Sequence, residues 1–372
     1  MVHLAFAFNF NIQRTEIAVG DEDQIIDKGY QPLVDLLLKH GMKADFFISG
    51  YSTETLMEMR PKLLDTIKAE IGSSFELGTY TYTHPVPQLL TIREFEKQIE
   101  KGIELDKEVY GVSPEGFLPP EFAYSHDMSD VLVRNNIKWI IALAKHVLNA
   151  DPNIPRQDLH KARFISNAGS DDFTVVPAIY ELPGTPQRVF KKMMKGELDV
   201  DTVVEGVKEF SRTHEDSILL MKRDAETIFI DEFNSGFTKT QETFDKFLEG
   251  ISKIDGVVPS TIGEYLEEHP PKGSVSLKEH LGNTKLETFT EGEAKPIWDL
   301  TLEVREKLFD LEKSEPESER VKKAWNHLLL SHNSDGRIGY WYSEWNPGEH
   351  VVAPSRRQFI EDNLKAALKL IS

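Results

Sequence analysis

The chain has 372 residues, of which 40% are hydrophobic and 28% are charged, so it can bury a large folded core. Lysine and arginine total 43 against 62 aspartate and glutamate residues, and the resulting formal net charge of -19 would repel a phosphate backbone. This balance excludes nucleic acid as a partner. There is no cysteine, which excludes disulfides and thiolate chemistry and leaves histidine and carboxylate side chains as metal ligands.

The first residues predict a buried strand rather than a targeting or membrane segment. The apolar run 4–8 follows Met1, Val2 and His3 directly, with no basic leader and no small-residue cleavage site. This run is too short to span a bilayer. We therefore expect a cytoplasmic protein with no membrane partner.

Short apolar runs alternate with longer amphipathic segments, a pattern typical of β-α units around a parallel sheet. Strands are predicted at 3–8, 44–49, 75–80, 116–118, 138–143, 174–178 and 217–222. Helices are predicted between them at 25–40, 54–71, 92–110, 128–135 and 199–212. Most of these helices are long enough for parallel crossovers. The pattern therefore predicts an α/β protein with a seven-stranded (β/α) barrel, not necessarily closed.

Past the predicted barrel the pattern becomes helical. The run His269-Pro270-Pro271-Lys272-Gly273 is a stop signal. It is followed by amphipathic patterns at 296–311, 318–331 and 355–371, which predict a small helical bundle. We expect a barrel domain over residues 1–270 and a C-terminal helical domain over 271–372, packed on the barrel.

Two acidic side chains follow predicted strands at the end where parallel barrels carry their functional groups. Glu121 comes just past strand four, after two prolines that fix an extended backbone. Asp224 ends strand seven, and Glu226 projects to the same side if the backbone stays extended. A single acid at a strand end is more often merely solvated. Strands four and seven, however, face each other across the mouth of a seven-stranded ring, so Glu121 and Asp224 are predicted to flank one glycosidic bond.

A third polar stretch ends strand three. Glu76 could orient a neighbouring group, while His84, Tyr80 and Tyr82 could supply a hydrogen-bond donor and a stacking face for a sugar ring. We predict that all four belong to the substrate-binding site. A turn with an internally bonded histidine is an equal alternative. Between the last two helices, Asp335 and Trp341 offer polar and aromatic groups for a glucan chain, with interdomain packing as the alternative.

These stretches, in this order, resemble the signature regions of glycoside hydrolase family 57. Residues 76–87 are similar to the second region, and residues 117–125 are similar to the third, whose nucleophile aligns with Glu121. Residues 224–227 resemble the fourth region, whose aspartate is the general acid/base, and this places that role on Asp224.

The helical part of the chain continues the resemblance. Residues 261–273 and 325–340, which include Ser334 and Asp335, are similar to the family's helical region that closes over the site. The resemblance implies a seven-stranded barrel with a helical domain. It also implies action on α-glucans by hydrolysis, transglycosylation or branching, with no metal and no cofactor.

The sequence departs from the family pattern at several positions. The first region normally carries two histidines at the end of strand one, and the matching stretch here is Phe8-Asn9-Phe10-Asn11-Ile12. We expect Phe8 and Phe10 to replace the two imidazoles in the substrate site. Phe117 or Leu118 stands where the third region usually has tryptophan, and Ala225 stands where the fourth usually has glycine. We expect Phe117 to contact the substrate. Such losses of polar support could cost several kcal/mol of transition-state binding.

Three functional hypotheses follow. The leading one is a retaining hydrolase or glucanotransferase that acts on α-1,4-linked glucan or maltooligosaccharides, with a homo-oligomer left open. The alternative, motivated by Phe8 and Phe10, is a relative that binds α-glucan without turnover. A metal-dependent polysaccharide deacetylase would need an aspartate-rich end of strand one and paired histidines, but Asn9, Asn11 and a lone His84 stand there. No His-x-x-x-His or His-x-His pair occurs, so no catalytic metal is expected.

Overall fold

A computed structural model describes residues 1–14, 17–179, 186–229, 240–282, 284–338, 340–343, 346–351 and 353–372, with side chains left undescribed at 186–188, 191, 240, 340–343 and 346–351. The strands are β1 (Val2–Phe10), β2 (Ala44–Ile48), β3 (Phe75–Thr79), β4 (Gly116–Phe117), β5 (Trp139–Leu143), β6 (Arg163–Ile165), β7 (Thr174–Ala178), β8 (Ser217–Asp224), β9 (Val257–Pro259), β10 (Ser274–Val275), β11 (Tyr340–Ser343) and β12 (Asn346–Val351).

The helices are α1 (Glu22–Ile25), α2 (Gln31–Lys39), α3 (Gly50–Met59), α4 (Pro61–Glu70), α5 (Ile92–Tyr110), α6 (His126–Arg134), α7 (Ala144–Ala150), α8 (Pro186–Met194), α9 (Val200–Thr213), α10 (Thr240–Ile251), α11 (Ile262–Glu268), α12 (Glu287–Thr290), α13 (Lys295–Ser314), α14 (Glu319–Leu330) and α15 (Pro354–Ile371). A π-helical turn, Ile26–Tyr30, joins α1 to α2. Helix α5 shows how local sequence sets these limits. It begins at a capping box of Thr91 and Glu94 and ends at Gly111, whose φ of 78° breaks the helix. None of the described helices combines the length and the apolar character that a bilayer crossing requires.

The strands form one curved sheet in the order β10-β6-β7-β5-β4-β3-β2-β1-β8, with β9 paired to the start of β1. The ladders that join β8, β1, β2, β3, β4, β5 and β7 are all parallel. Strands β7 and β8 approach each other without pairing, so the sheet curls into an open (β/α) barrel. The predicted fold class is confirmed, and these seven strands are the seven predicted from the sequence.

Strand β1 shows which side chains face the interior of the barrel. Phe8 and Phe10 have 0% exposure and lie between the sheet and its helices, where the Phe10 ring centroid is 4.5 Å from that of Tyr30. Ala5 and Ala7 alternate with them and belong to the interior cluster. Because successive side chains of a strand point to opposite faces, Phe8 and Phe10 point away from the barrel interior. The prediction that they line the substrate site is wrong.

Phe117 lies on the same outer side of the sheet. Its ring is fully buried with its centroid 6.2 Å from that of Phe95 on α5, while the next residue, Leu118, belongs to the interior cluster. Phe117 is therefore part of the sheet-helix core, and its predicted role in substrate binding is also wrong.

Helix α11 is attached to the amino end of the barrel by two acidic side chains. Asp45 accepts hydrogen bonds from the Ile262 N–H at 3.0 and 3.1 Å, and Glu76 accepts one from the Gly263 N–H at 2.9 Å. Both carboxyls lie at the positive end of the helix dipole. Burial raises the pKa of Glu76 and raises that of Asp45 still further. Glu76 is thus a structural residue at the start of β3, and the prediction that it binds substrate is wrong.

Helices α13, α14 and α15 pack together as a C-terminal bundle against the barrel. Tyr82 belongs to the core of this bundle. Its hydroxyl donates to Glu54 at 2.9 Å, and the Lys101 ammonium lies 3.6 Å from its ring centroid. Tyr82 therefore joins the bundle to the barrel, and its predicted role in substrate binding is wrong. Strand β10, which pairs with β6, extends the sheet beyond residue 270, and the domain boundary there stays a prediction.

Candidate active site

Glu121 is held just past the carboxyl end of β4 by a strained turn. Its φ of 56° lies in the left-handed region, which costs a non-glycine residue about 1–2 kcal/mol. The turn is fixed by the Gly282 N–H, which donates to the Glu121 carbonyl oxygen at 2.8 Å. A Cβ at position 282 would lie 2.3 Å from that oxygen, so this approach requires glycine. The backbone therefore fixes where the Glu121 carboxyl can point.

The Glu121 carboxyl meets the loop that follows α14. Ser334 Oγ donates to Glu121 Oε1 at 3.2 Å. Burial raises the pKa of Glu121, and the charge of His84 and the hydrogen bond from Ser334 oppose this only in part. The hydrogen bond from Ser334 of the helical domain stabilises the Glu121 carboxylate. Burial acts in the opposite direction and has the larger effect, so the pKa of Glu121 is raised overall.

His84 is the centre of the polar contacts in the barrel mouth. Its Nε2 lies 2.6 Å from the Tyr80 hydroxyl, and its Nδ1 lies 2.9 Å from Ser334 Oγ and 3.5 Å from Asp335 Oδ2. Asn11 Nδ2 lies 3.4 Å from the same Nδ1 and donates to Asp335 Oδ2. Burial raises the pKa of Tyr80 far above its ordinary value, and the charges of the surrounding carboxyls add to this effect. His84, Tyr80 and Asp335 therefore lie in one site.

Asp224 and Glu226 lie beside the end of β1. Asn9 is the register partner of Asp224 in the β1–β8 ladder, and its amide donates to Glu226 Oε1 at 3.3 Å. The Asn11 N–H donates to Glu226 Oε2, also at 3.3 Å. Burial and the charge of Asp224 raise the pKa of Glu226 well above its ordinary value. Burial and the neighbouring carboxylate therefore favour the protonated form of Glu226.

Lys222 forms an ion pair with Asp224. Its ammonium donates to Asp224 Oδ1 at 2.7 Å, and the Asp224 side chain keeps 37% of its surface exposed. Burial alone would raise the pKa of Asp224, but the charges of Lys222 and Arg14 and a hydrogen bond from Asn9 outweigh it, and the pKa falls well below the ordinary value. Asp224 is therefore an anion in the substrate-free protein.

A chain of polar contacts leads from one predicted catalytic carboxyl to the neighbourhood of the other. It runs from Glu121 through Ser334, His84, Asn11 and Glu226 to Asn9, which is the register partner of Asp224 on the neighbouring strand. The structure thus brings together six of the predicted residues, which are Glu121, Asp224, Glu226, His84, Tyr80 and Asp335. The side chain of Trp341 lies outside the described residues.

Sequence reasoning missed several members of this site: Asn9, Asn11, Arg14, Lys222 and Ser334. The alternation in β1 contained a signal for the two asparagines, because they lie two and four residues beyond Ala7 on its interior face. For Ser334, which reaches the site from the helical domain, the only signal was its place in the stretch 325–340 that resembles the family's helical region.

Among the described residues, one group of three donors is close enough to hold a metal ion. It consists of His3, Glu268 and His269, with the Nε2 atoms of the two histidines 3.0 Å apart. This group lies at the amino end of the barrel, away from Glu121 and Asp224. The expectation that catalysis needs no metal stays a prediction.

Comparison of the sequence with known protein families identifies the family of this chain. The sequence profile described as glycosyl hydrolase family 57 matches residues 10–278, well over half of the chain. The chain belongs to glycosyl hydrolase family 57. The matched range includes Glu121 and Asp224. It ends before α13, the first helix of the bundle, so it does not include Ser334.

Solved structures agree with the family 57 fold. The 4-alpha-glucanotransferase of Thermococcus litoralis superposes with a TM-score of 0.78 at 14% identity, covering 100% of this chain and 60% of that one. The branching enzyme of Pyrococcus horikoshii superposes with a TM-score of 0.72 at 14% identity, covering 99% of this chain and 88% of that one. Identities this low show a shared fold.

A partial match connects this family 57 chain to a curated deacetylase. The peptidoglycan deacetylase of Helicobacter pylori is 27% identical over 111 residues, which are 30% of this chain and 36% of that protein. The chain therefore matches about a third of the length of that relative.

Proposed function

We propose that this protein is a retaining glycoside hydrolase or glucanotransferase that acts on α-1,4-linked glucan, with Glu121 as nucleophile and Asp224 as general acid/base. The observation that carries the proposal is the placement of the two carboxyls beyond β4 and at the end of β8, with β3, β2 and β1 between them in the sheet. A chain of polar contacts leads from Glu121 through Ser334, His84 and Asn11 to Glu226, two residues beyond Asp224. The family and its solved members, named as a glucanotransferase and a branching enzyme, support an α-glucan substrate.

The proposed reaction has two displacements. Glu121 forms a bond to the anomeric carbon as the glycosidic bond breaks, and Asp224 gives its proton to the departing oxygen. Asp224 then takes a proton from water or from a sugar hydroxyl, which attacks the anomeric carbon and releases Glu121. Water gives hydrolysis, and a second sugar gives transfer.

The Lys222 ion pair sets a condition on the first step. Asp224 must be protonated to act as an acid, yet Lys222 holds it as an anion. Substrate must therefore separate Lys222 from Asp224, and desolvation by a bound sugar ring would raise the pKa of Asp224 in the same event.

The same ion pair favours a second candidate, a protein that binds α-glucan without turnover. If Lys222 stays on Asp224 when sugar is bound, no acid is available for the departing oxygen. Glu121 and the polar network would then hold a glucan segment without cleaving it.

Incubation of the purified protein with maltooligosaccharides tests the two candidates. We expect wild type to release or redistribute glucose units, and Glu121→Gln and Asp224→Asn to lose about 10³-fold or more in kcat. Glu268→Gln, an exposed glutamate at the amino end, is the matched control and should keep full activity. Unchanged activity in Glu121→Gln would refute the assignment of Glu121 as the nucleophile. Calorimetric binding of maltooligosaccharide without any product would establish the second candidate.

A further inference from the structure

A small cavity lies between the barrel and the helical bundle, outside the polar network described above. The space between its walls, with the adjoining open solvent included, is about 190 Å³. Val86, Leu89 and Leu90 form an apolar wall, and Arg305, His332 and Arg337 supply basic side chains. Basic groups that converge on an apolar cavity suggest a binding site for a negative charge.

Arg337 has no carboxylate partner in the part of the chain that the structure describes. Its side chain is 3% exposed, with Nε donating to the Ser331 carbonyl at 3.0 Å and Nη1 donating to Thr301 Oγ1 at 3.1 Å. Nη2 is buried with no hydrogen-bond partner in the described residues. None of their carboxylate oxygens lies within 4.0 Å of the guanidinium. A buried guanidinium without a counter-charge is costly.

The carboxylate of Glu94, near Arg337, already has a positive partner in Arg305. Glu94 is fully buried and accepts from Arg305 Nε at 2.9 Å, with Arg305 Nη2 2.8 Å from its second oxygen. Burial acts to raise the pKa of Glu94, but His332 and Arg305 outweigh it and hold the pKa at about 2. Burial lowers the pKa of Arg337 to about 9, so Arg337 is still a cation at neutral pH. Burial lowers the pKa of the third basic group, His332, whose Nε2 lies 3.3 Å from Glu94, and so favours its neutral form. Among the described side chains at this cavity, two guanidiniums then face the single carboxylate of Glu94, which leaves one positive charge uncompensated.

We propose that this cavity binds a small monovalent inorganic anion, chloride in the cell, beside the Arg337 guanidinium. One negative charge would complete the balance. The cavity offers few free donors and an apolar wall, which suits a weakly hydrated halide. A divalent phosphate or sulfate would bring a second charge and more acceptors than these side chains can satisfy.

Occupancy of this site would act on the loop that carries part of the active site. The Arg337 N–H donates to the Ser334 carbonyl at 3.0 Å, and Ser334 in turn donates to Glu121. An anion that fixes Arg337 thus stabilises the turn that positions Ser334 and Asp335. The anion site itself does not depend on the proposed glucan chemistry.

Thermal melting at constant ionic strength tests the site in solution. Sodium chloride replacing sodium gluconate should raise the melting temperature of wild type by about 2 °C or more, and the rise should saturate. Arg337→Met, which removes the unbalanced charge, should abolish the rise. Arg320→Met, which removes an exposed arginine of α14, should keep it. Equal melting temperatures of wild type in the two salts would overturn the proposal.

Anomalous diffraction from wild-type crystals grown in sodium bromide provides a test that needs no variant. We expect a bromide peak beside the Arg337 guanidinium. Absence of a peak there would overturn the proposal. A peak without any chloride effect on melting would show an adventitious ion only, and would also overturn it. Neither measurement depends on glucan turnover, so failure of the anion site and failure of the proposed catalysis are distinguishable.

Discussion

Lys222 donates a 2.7 Å hydrogen bond to Asp224, the residue proposed to give a proton to the departing sugar. The two side chains lie on the same strand, two residues apart, and therefore share one face of β8. Lys222 is nearly buried, whereas Asp224 keeps a third of its surface exposed. A ligand in the mouth can therefore reach Asp224 while Lys222 stays beneath it, which makes this ion pair the control point of the proposed chemistry.

Lys222→Met should move the pH dependence of activity. Loss of the ammonium raises the pKa of Asp224, so the acid keeps its proton to higher pH and the alkaline limb of kcat/KM against pH shifts upward. The measurement is a pH profile of kcat/KM on a maltooligosaccharide for wild type and variant. The control is Lys253→Met, which breaks an exposed ion pair between Lys253, just past the end of α10, and Glu249 within it. This change should leave the pH profile unchanged. An alkaline limb that stays in place would contradict the acid role of Asp224.

Gly282→Ala should reduce kcat at little cost to the rest of the fold. The added Cβ would lie 2.3 Å from the Glu121 carbonyl, so the strained turn must shift and the carboxyl moves with it. We expect kcat to fall about 10²-fold. Gly206→Ala is the control, because nothing lies within 4 Å of a Cβ there in helix α9, and it should gain up to about 1 kcal/mol of stability. Steady-state kinetics and urea unfolding of both variants measure these effects.

The fold could be predicted in some detail because the barrel strands have local signatures. Each strand is a short apolar run. The start of α5, the helix that follows β3, is marked by a capping box of Thr91 and Glu94. The active site was less predictable. The resemblance aligns Phe8 and Phe10 with the family histidines, whereas the period of two along β1 places Asn9 and Asn11 in the interior.

Glu76 and Ser334 show two further limits of the sequence. Glu76 lies in a matching motif, but it starts β3 rather than ending it, so it reaches α11 at the opposite end of the barrel. Ser334 lies 213 residues from Glu121, and only the packing of the helical bundle brings the two together.

Phe8→Ala tests the corrected position of that ring. Because Phe8 is fully buried between the sheet and the helices, truncation should cost about 3–5 kcal/mol of unfolding free energy. The KM for maltooligosaccharide should stay within about twofold in the remaining folded protein. Urea unfolding and steady-state kinetics measure the two quantities. A large rise in KM with unchanged stability would instead show that the ring contacts substrate.

Asp106→Asn should stabilise the protein at neutral pH. Asp106 is 1% exposed on α5, neither carboxylate oxygen has a hydrogen-bond partner among the described residues, and burial raises its pKa well above the ordinary value. When folding raises the pKa of an acid, the protein becomes less stable as the pH rises above the pKa of that acid in the unfolded state. Replacing Asp106 should therefore increase the free energy of unfolding by about 1–3 kcal/mol at pH 7.

The Asp106→Asn gain should vanish below pH 3, where the carboxyl is protonated in both the folded and the unfolded states. Urea unfolding at pH 7 and pH 3 measures it. Asp65→Asn, at an exposed position of α4, is the matched control and should change stability little at either pH. An equal gain at both pH values would show that the effect is not one of ionisation.

The attachment of α11 to Asp45 and Glu76 makes the barrel a cup rather than a tube. Ile262 and Tyr265 of this helix are buried among the interior side chains, which closes the base. The linear glucan proposed as substrate cannot thread such a cup, so in the proposed reaction it lies across the rim, and both halves of the divided chain depart through the same opening. The breadth of the rim and the neighbouring bundle, not the depth of the barrel, would then set how many sugar units of that proposed substrate fit.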